Sequence, residues 1–229
     1  MNLRPRSLVA LTLVLPFVSA RAPRSNEGQI WSVQTVAVDE APDSSALESL
    51  RANVEDFALR GGETPVAPSA ARTELVLPEG ALLVLRRWDS LAAAEDGALM
   101  LDGSNAAAAL ADAGRDAGTR FFRELRARAY EGRDAGYTEV VVFRTWPGTT
   151  RAAHLALFDA AEKGFANEAG VAGHALGLGA DGAWIHVVHW TSAEGFARSS
   201  RALMRDAGVR SWITSLDFGR FEQRHGTRM

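Results

Sequence analysis

Cysteine is absent from all 229 residues, so disulfides, thiolate metal sites and lipid attachment at a cysteine are excluded. Lysine is nearly absent: Lys163 stands alone among 25 basic residues. Histidine is missing ahead of position 154 and then occurs five times, at His154, His174, His186, His189 and His225. Long apolar runs are missing too. The stretch Leu8–Val18 is interrupted by Pro16 and falls well short of the ~20 residues that cross a bilayer. A formal charge of −3 leaves no basic footprint for phosphates, which argues against nucleic acid as a partner. What is present is 47% hydrophobic and 23% charged residues, the composition of a folded protein.

The amino terminus reads as a signal peptide over residues 1–20. Arg4 and Arg6 form a basic start, Leu8–Val18 an apolar middle, and Val18-Ser19-Ala20 a small-residue cleavage site. A cut after Ala22 also fits but places Pro23 at the scissile bond. Loss of Arg4 and Arg6 takes the mature charge from −3 to −5. The expectation is an exported protein, periplasmic or extracellular, with a polar leader over 21–29 and no stable membrane insertion after cleavage. Without disulfides it must be held by core burial alone.

From Ile30 onward two periodicities alternate. Ile30–Val38 reads as a strand by alternation and β-branched content. Ser45–Glu48 is a capping-box pattern ahead of helical spacing through Ala58, and Gly61-Gly62 ends that helix. Thr73–Leu77 and Ala81–Trp88 flank Pro78-Glu79-Gly80, a hairpin signal. The second half repeats the order: a strand over Glu139–Thr145, a helix to about Ala169, strands Val171–Leu178 and Ala183–Trp190 around an Asp181-Gly182 turn, a helix from Ser192 to Met204, and a short strand Phe218–His225.

The halves can be overlaid. Residues 121–133 match 212–224 at an offset of 91, and Trp88-Asp89-Ser90 matches Trp190-Thr191-Ser192 at 102, which makes residues 102–118 an expected insertion. The expected organisation is a duplicated pair of units, 30–134 (divergent) and 137–225, each with the ferredoxin-like β-α-β-β-α-β order. The fold class is α+β.

Within 137–225, a hairpin ending in Trp190-Thr191-Ser192, followed at once by a helix and then by an Asp217-Phe218 approach to a final strand, resembles the antibiotic-biosynthesis-monooxygenase family of dimeric α/β barrels. The resemblance implies that two sheets pair across their bare faces, here within one chain, giving an intrachain dimeric α/β barrel. The chain would be a monomeric pseudo-dimer or a homo-oligomer. It also implies a small-molecule ligand and a range of activities, from cofactor-independent oxygenation of phenolic or quinol-like substrates to haem breakdown, isomerisation or no chemistry. Haem-degrading members carry a histidine late in their last helix, and the stretch Ser192–Met204 has none. No cofactor is expected.

Candidate site residues cluster in the second half. Strand parity puts Trp184, His186, Val188 and Trp190 on one face and Ile185, Val187 and His189 on the other. A two-residue Asp181-Gly182 turn makes paired positions sum to 363, so that His174 faces His189 and the small residues Gly173, Ala175 and Gly177 lie beneath the large rings. His186, beside two tryptophans, is the catalytic general-base candidate. Arg144, Trp146, Trp184 and Trp190 are the substrate-binding candidates. His174 and His189 are weak metal candidates, short of the three or four ligands zinc takes; the reading is no metal. His154 reads as a helix-face residue. The glycine-rich 177–182 lies inside a hairpin and is no phosphate loop. Two readings result: an exported cofactor-independent monooxygenase acting on a small aromatic or apolar molecule, or a non-catalytic binding or structural module of the same fold.

Overall fold

The computed structural model describes residues 28–38, 45, 48–53, 72–78, 80–101 and 105–228. The expected signal peptide, nearly all of the expected leader, the expected helix end at Gly61-Gly62 and most of the expected first helix lie outside the described residues. In chain order the elements are β1 (Ile30–Ala37), α1 (48–53), β2 (Arg72–Leu77), β3 (Ala81–Trp88), α2 (Leu91–Leu101), α3 (Asn105–Ala113) and β4 (Arg115–Ala129). They continue as β5 (Tyr137–Thr145), α4 (Arg151–Asn167), β6 (Val171–Gly179), β7 (Trp184–Trp190), α5 (Ala193–Leu203), α6 (Ala207–Ile213) and β8 (Leu216–Arg228). Among the described residues no helix is long and apolar enough to cross a membrane.

The strands close into a barrel in the order β1-β3-β2-β8-β5-β7-β6-β4, with every pairing antiparallel. Within the ring, β4-β1-β3-β2 and β8-β5-β7-β6 follow one ferredoxin-like order, and the seams are β2–β8 and β4–β6. The β2–β8 seam is short, pairing Val76 with Arg228 and Leu77 with Thr227, and it completes the ring of strands.

Most strands are covered on both faces, by the barrel interior and by helices. That is why β3, β6 and β7 read as nearly unbroken apolar runs rather than clean alternations. Parity assigns each residue to a face. Trp31, Val33, Leu83, Leu85, Phe122, Val140, Ile185 and Val187 fill the lumen from both halves. On the outer face of the second half, Val141, Phe143, Trp184, Val188 and Trp190 meet Phe158 and Phe165 of α4, Leu203 of α5 and Trp212 of α6 in one continuous layer. The helices are capped as their sequences suggest: Thr150, Ser192 and Asp206 accept the backbone N–H groups of Ala153, Gly195 and Val209 at 3.2, 3.0 and 2.9 Å. A Cβ on Gly208 would lie 2.7 Å from the Ala160 carbonyl oxygen, so glycine there lets α6 close onto α4.

Four expectations need correction. The turn between β6 and β7 has three residues, Ala180-Asp181-Gly182. Gly182 N–H bonds to the Gly179 carbonyl at 3.1 Å, Gly179 N–H bonds to the Ala183 carbonyl at 2.8 Å, and Gly182 takes φ 77°. A three-residue loop with a left-handed glycine shifts the register by one. His174 therefore pairs with Val188, and His189 with Gly173. His174 then shares a face with His186, and Gly173, Ala175 and Gly177 look into the lumen instead of lying beneath the tryptophans.

The last strand is not short: β8 runs over 13 residues. The offset of 91 also fails, because it lays Phe121 and Phe122 of β4 on Trp212 and Ile213 of α6. Finally, the expected insertion over 102–118 does not hold, because its described residues, 105–118, contribute α3 and the start of β4. Trp88 and Trp190, the starts of α2 and α5, and the starts of α3 and α6 are all 102 positions apart.

Candidate ligand cavity

A cavity of about 390 Å³ opens between the outer sheet face of the second half and α4, α5 and α6, within the range of small-molecule sites. Its sheet side is built by Glu139 and Val141 of β5, His186, Val188 and Trp190 of β7, and Gln223 of β8. Its helix side is apolar, with Phe165, Phe196, Leu203, Val209 and Trp212, and a single hydroxyl from Ser200. The rim is apolar as well: Met204 and Phe218 are 51% and 56% exposed.

Two ionisable groups face this space. Val141 pairs with His186 and Glu139 with Val188, so Glu139 and His186 are diagonal neighbours on one face. Burial pushes the Glu139 carboxyl above the usual carboxylate range, opposed by hydrogen bonding from the Gln223 amide and by the nearby Trp190 indole. The Trp190 N–H itself falls short of full hydrogen-bond geometry. His186 is held well below its ordinary pKa by burial, reinforced by His174, His154 and His189, so its imidazole is neutral. Its Nε2 makes no hydrogen bond, and its ring meets Phe158 and Trp212 edge-on at 5.3 and 5.0 Å.

Three other histidines have partners elsewhere in the fold. His154 sits on the buried face of α4. Trp212 Nε1–H donates to its Nε2 at 3.3 Å, its Nδ1 lies 3.1 Å from Ser215 Oγ, and that hydroxyl donates to the Trp212 carbonyl at 2.6 Å. Burial lowers the pKa of His154 to about 4. His174 Nε2 lies 3.2 Å from the Tyr130 hydroxyl, and burial, aided by Arg128 and His189, lowers its pKa to about 4. His189 points into the lumen beside Thr138 and Glu74, at 3.3 and 3.5 Å. His174 and His189 thus face opposite sides of the sheet and do not meet as ligands. Among the described residues no cluster of three or more histidine or acidic side chains has metal-binding geometry.

Of the substrate-binding candidates, only Trp190 lines the cavity with His186. Trp184 shares the layer but packs on His154, with ring centroids 4.3 Å apart. Arg144 holds the β6–β7 turn, donating to the Asp181 carbonyl at 2.6 Å and its carboxylate at 3.0 Å. Trp146 is 49% exposed beyond the strand end. Glu139 and Gln223 were missed. Glu139 was legible, since parity sets it on the stripe of Val141 and Phe143; Gln223 lies in a strand without clean alternation.

A second cavity, about 370 Å³, occupies one end of the lumen beside Trp31, Arg87, Gly173, His189 and Arg228. Its charges are matched. Arg87 Nε and Nη2 grip Glu124 at 2.9 and 2.6 Å, the Trp31 indole donates to the same carboxylate at 2.7 Å, and Arg228 and His189 flank Glu74.

No family model matches the chain, and no curated protein does. Solved structures do. A presumptive monooxygenase from Fusobacterium nucleatum is 11% identical with a TM-score of 0.60, over 89% of this chain and 94% of that one. The fold is of the dimeric α/β-barrel type. A chlorite dismutase from Candidatus Nitrospira defluvii is 15% identical with a TM-score of 0.59, over 90% and 92% of the two chains. An anthrone oxidase-like protein is 14% identical with a TM-score of 0.52, over 88% and 91%. At such identities the likeness speaks for the fold and not for the activity.

Proposed function

We propose that this chain is an exported member of the monooxygenase-like barrel proteins, duplicated within one chain and acting as a monomer. Its second half binds a small, flat aromatic molecule and oxygenates it without a cofactor. The observation that carries the reading is the apolar cavity with one raised-pKa carboxyl, Glu139, beside a neutral imidazole with an uncommitted nitrogen, His186. A ring enters between Phe165, Phe196 and Trp212, and its hydroxyl meets the polar sheet side. Glu139, with its raised pKa, is the better general base; His186 accepts or positions a second polar atom. Removing a phenolic proton leaves an electron-rich anion that dioxygen can oxidise directly. A ring CH₂ activated in this way becomes a carbonyl, with one O₂ consumed and one water released. Monooxygenase and anthrone oxidase-like names among the fold neighbours support this class of ligand.

The test is oxygen uptake with anthrone and hydroquinone panels, with Glu139→Gln as control. Turnover lost in Glu139→Gln, with a native circular dichroism spectrum, supports the reading. Thermal stabilisation by the same compounds without uptake supports the alternative, a binding module that performs no chemistry.

A further inference from the structure

The layer between sheet and helices in the first half contains a polar band that the cavity chemistry does not use. Ser32 of β1, Arg86 of β3 and Thr73 of β2 stand in one cross-strand row, and Gln34 lies beside them. The band separates two apolar clusters, Val36, Leu75, Leu82 and Val84 on one side and Ile30, Trp88 and Ala94 on the other. Ser32 is committed, accepting the Trp88 indole N–H at 2.8 Å. Arg86 is only 3% exposed. Among the described residues its one hydrogen bond is Nη1–H to Gln34 Oε1, at a long 3.4 Å, while Nε, Nη2 and the Thr73 hydroxyl make none. Burial lowers the Arg86 pKa only to about 10, so the group is a cation at neutral pH. An ionised group taken out of water without a counter-charge costs several kcal/mol.

Two other arginines show what that edge of a guanidinium takes in this protein. Arg87 presents Nε and Nη2 to Glu124 at 2.9 and 2.6 Å, and Arg126 presents the same two atoms to Asp159 at 2.7 and 2.9 Å. Each is a planar fork on a carboxylate. From this we infer that the first half holds a second ligand site, in which the Nε/Nη2 edge of Arg86 and the Thr73 hydroxyl bind the carboxylate of a small organic acid. The site lies on the first-half sheet, remote from Glu139 and His186, and is independent of the proposed oxygenation. The flanking clusters favour an acid with an apolar body.

The experiment is thermal unfolding of the purified protein against benzoate, acetate and phosphate, with chloride at matched ionic strength. Benzoate at saturation raises the wild-type Tm by about 5 °C over the chloride control. Arg86→Met removes the response and, without added acid, melts no lower than wild type, because it deletes an unpaired buried cation. Thr73→Val keeps the fold and weakens benzoate several-fold, which maintains the test if Arg86→Met does not fold. Glu139→Gln retains the response, which separates this site from the second-half cavity. The inference is overturned if no carboxylate exceeds chloride, if Arg86→Met responds like wild type, or if only phosphate stabilises.

Discussion

The two halves share a strand order but not an interior. In the second, the layer between sheet and helices is one aromatic continuum around Phe158, Trp184, Trp190 and Trp212, with buried neutral histidines set among the rings. In the first, the corresponding layer is divided by Ser32, Gln34, Thr73 and Arg86 into two smaller apolar clusters. Ser32 even takes the strand position of Glu139: each lies two residues beyond the one, Ile30 or Tyr137, that pairs with the strand-closing tryptophan. One framework thus presents an apolar pocket with an acid in one half and a basic polar band in the other. Strand order fixes where a pocket can form, and the side chains on the outer face decide what it recognises.

The sharpest way to break this comparison is Glu139→Gln, for which oxygen uptake should fall by about 10²–10⁴-fold, the weight of a general base. Ser32→Ala, its first-half counterpart, should leave the rate unchanged. If both variants slow turnover equally, activity does not reside in the second half. Core truncation tests the packing side. Phe158→Ala, in the continuous layer, should cost about 3–5 kcal/mol in denaturant unfolding, and Leu82→Ala, in the divided one, about 2–4 kcal/mol.

Histidine titration belongs to the second half alone, since histidine is absent from the first. His154 and His174 have folded pKa values of about 4, below the usual 6.5. The unfolded chain therefore binds more protons between those limits. The stability they contribute is complete above about pH 6.5 and is lost as pH falls towards 4. Tm measured from pH 7 to 4 should decline over that window, and His174→Phe should flatten the decline. The smallest effect belongs to the exposed ion pairs that strap β4 of the first half to α4 of the second, Arg126–Asp159 and Arg128–Glu162. Asp159→Asn should cost less than about 1 kcal/mol; a larger loss would make these pairs a structural hinge between the halves.

Much of the framework was legible because its signals are local. The Pro78-Glu79-Gly80 turn, the Ser192 cap and the strand runs around Trp88 and Trp190 are each decided within a few residues, by turn chemistry and burial period. Helices α3 and α6 were not legible: they are only 9 and 7 residues long, and α3 is so rich in alanine that it carries no clear stripe. Glu139 could have been placed from the parity of β5. The register of β6 on β7 could not be settled from composition, since Asp-Gly fits a two-residue and a three-residue turn alike, and that one residue moved His174 from beside His189 to the face of His186.

By itself, then, the sequence determined the α+β class, the strand–helix–hairpin–helix–strand order of the second half and the concentration of histidine and tryptophan there, because propensity, capping and hydrophobic period act over short stretches. Only the tertiary structure decided that β2 meets β8 and β4 meets β6 to close the barrel, that Glu139 and His186 face one cavity, and that Arg86 is buried with half its guanidinium unpaired. Those outcomes depend on which faces meet across distant strands, and no local spacing encodes that.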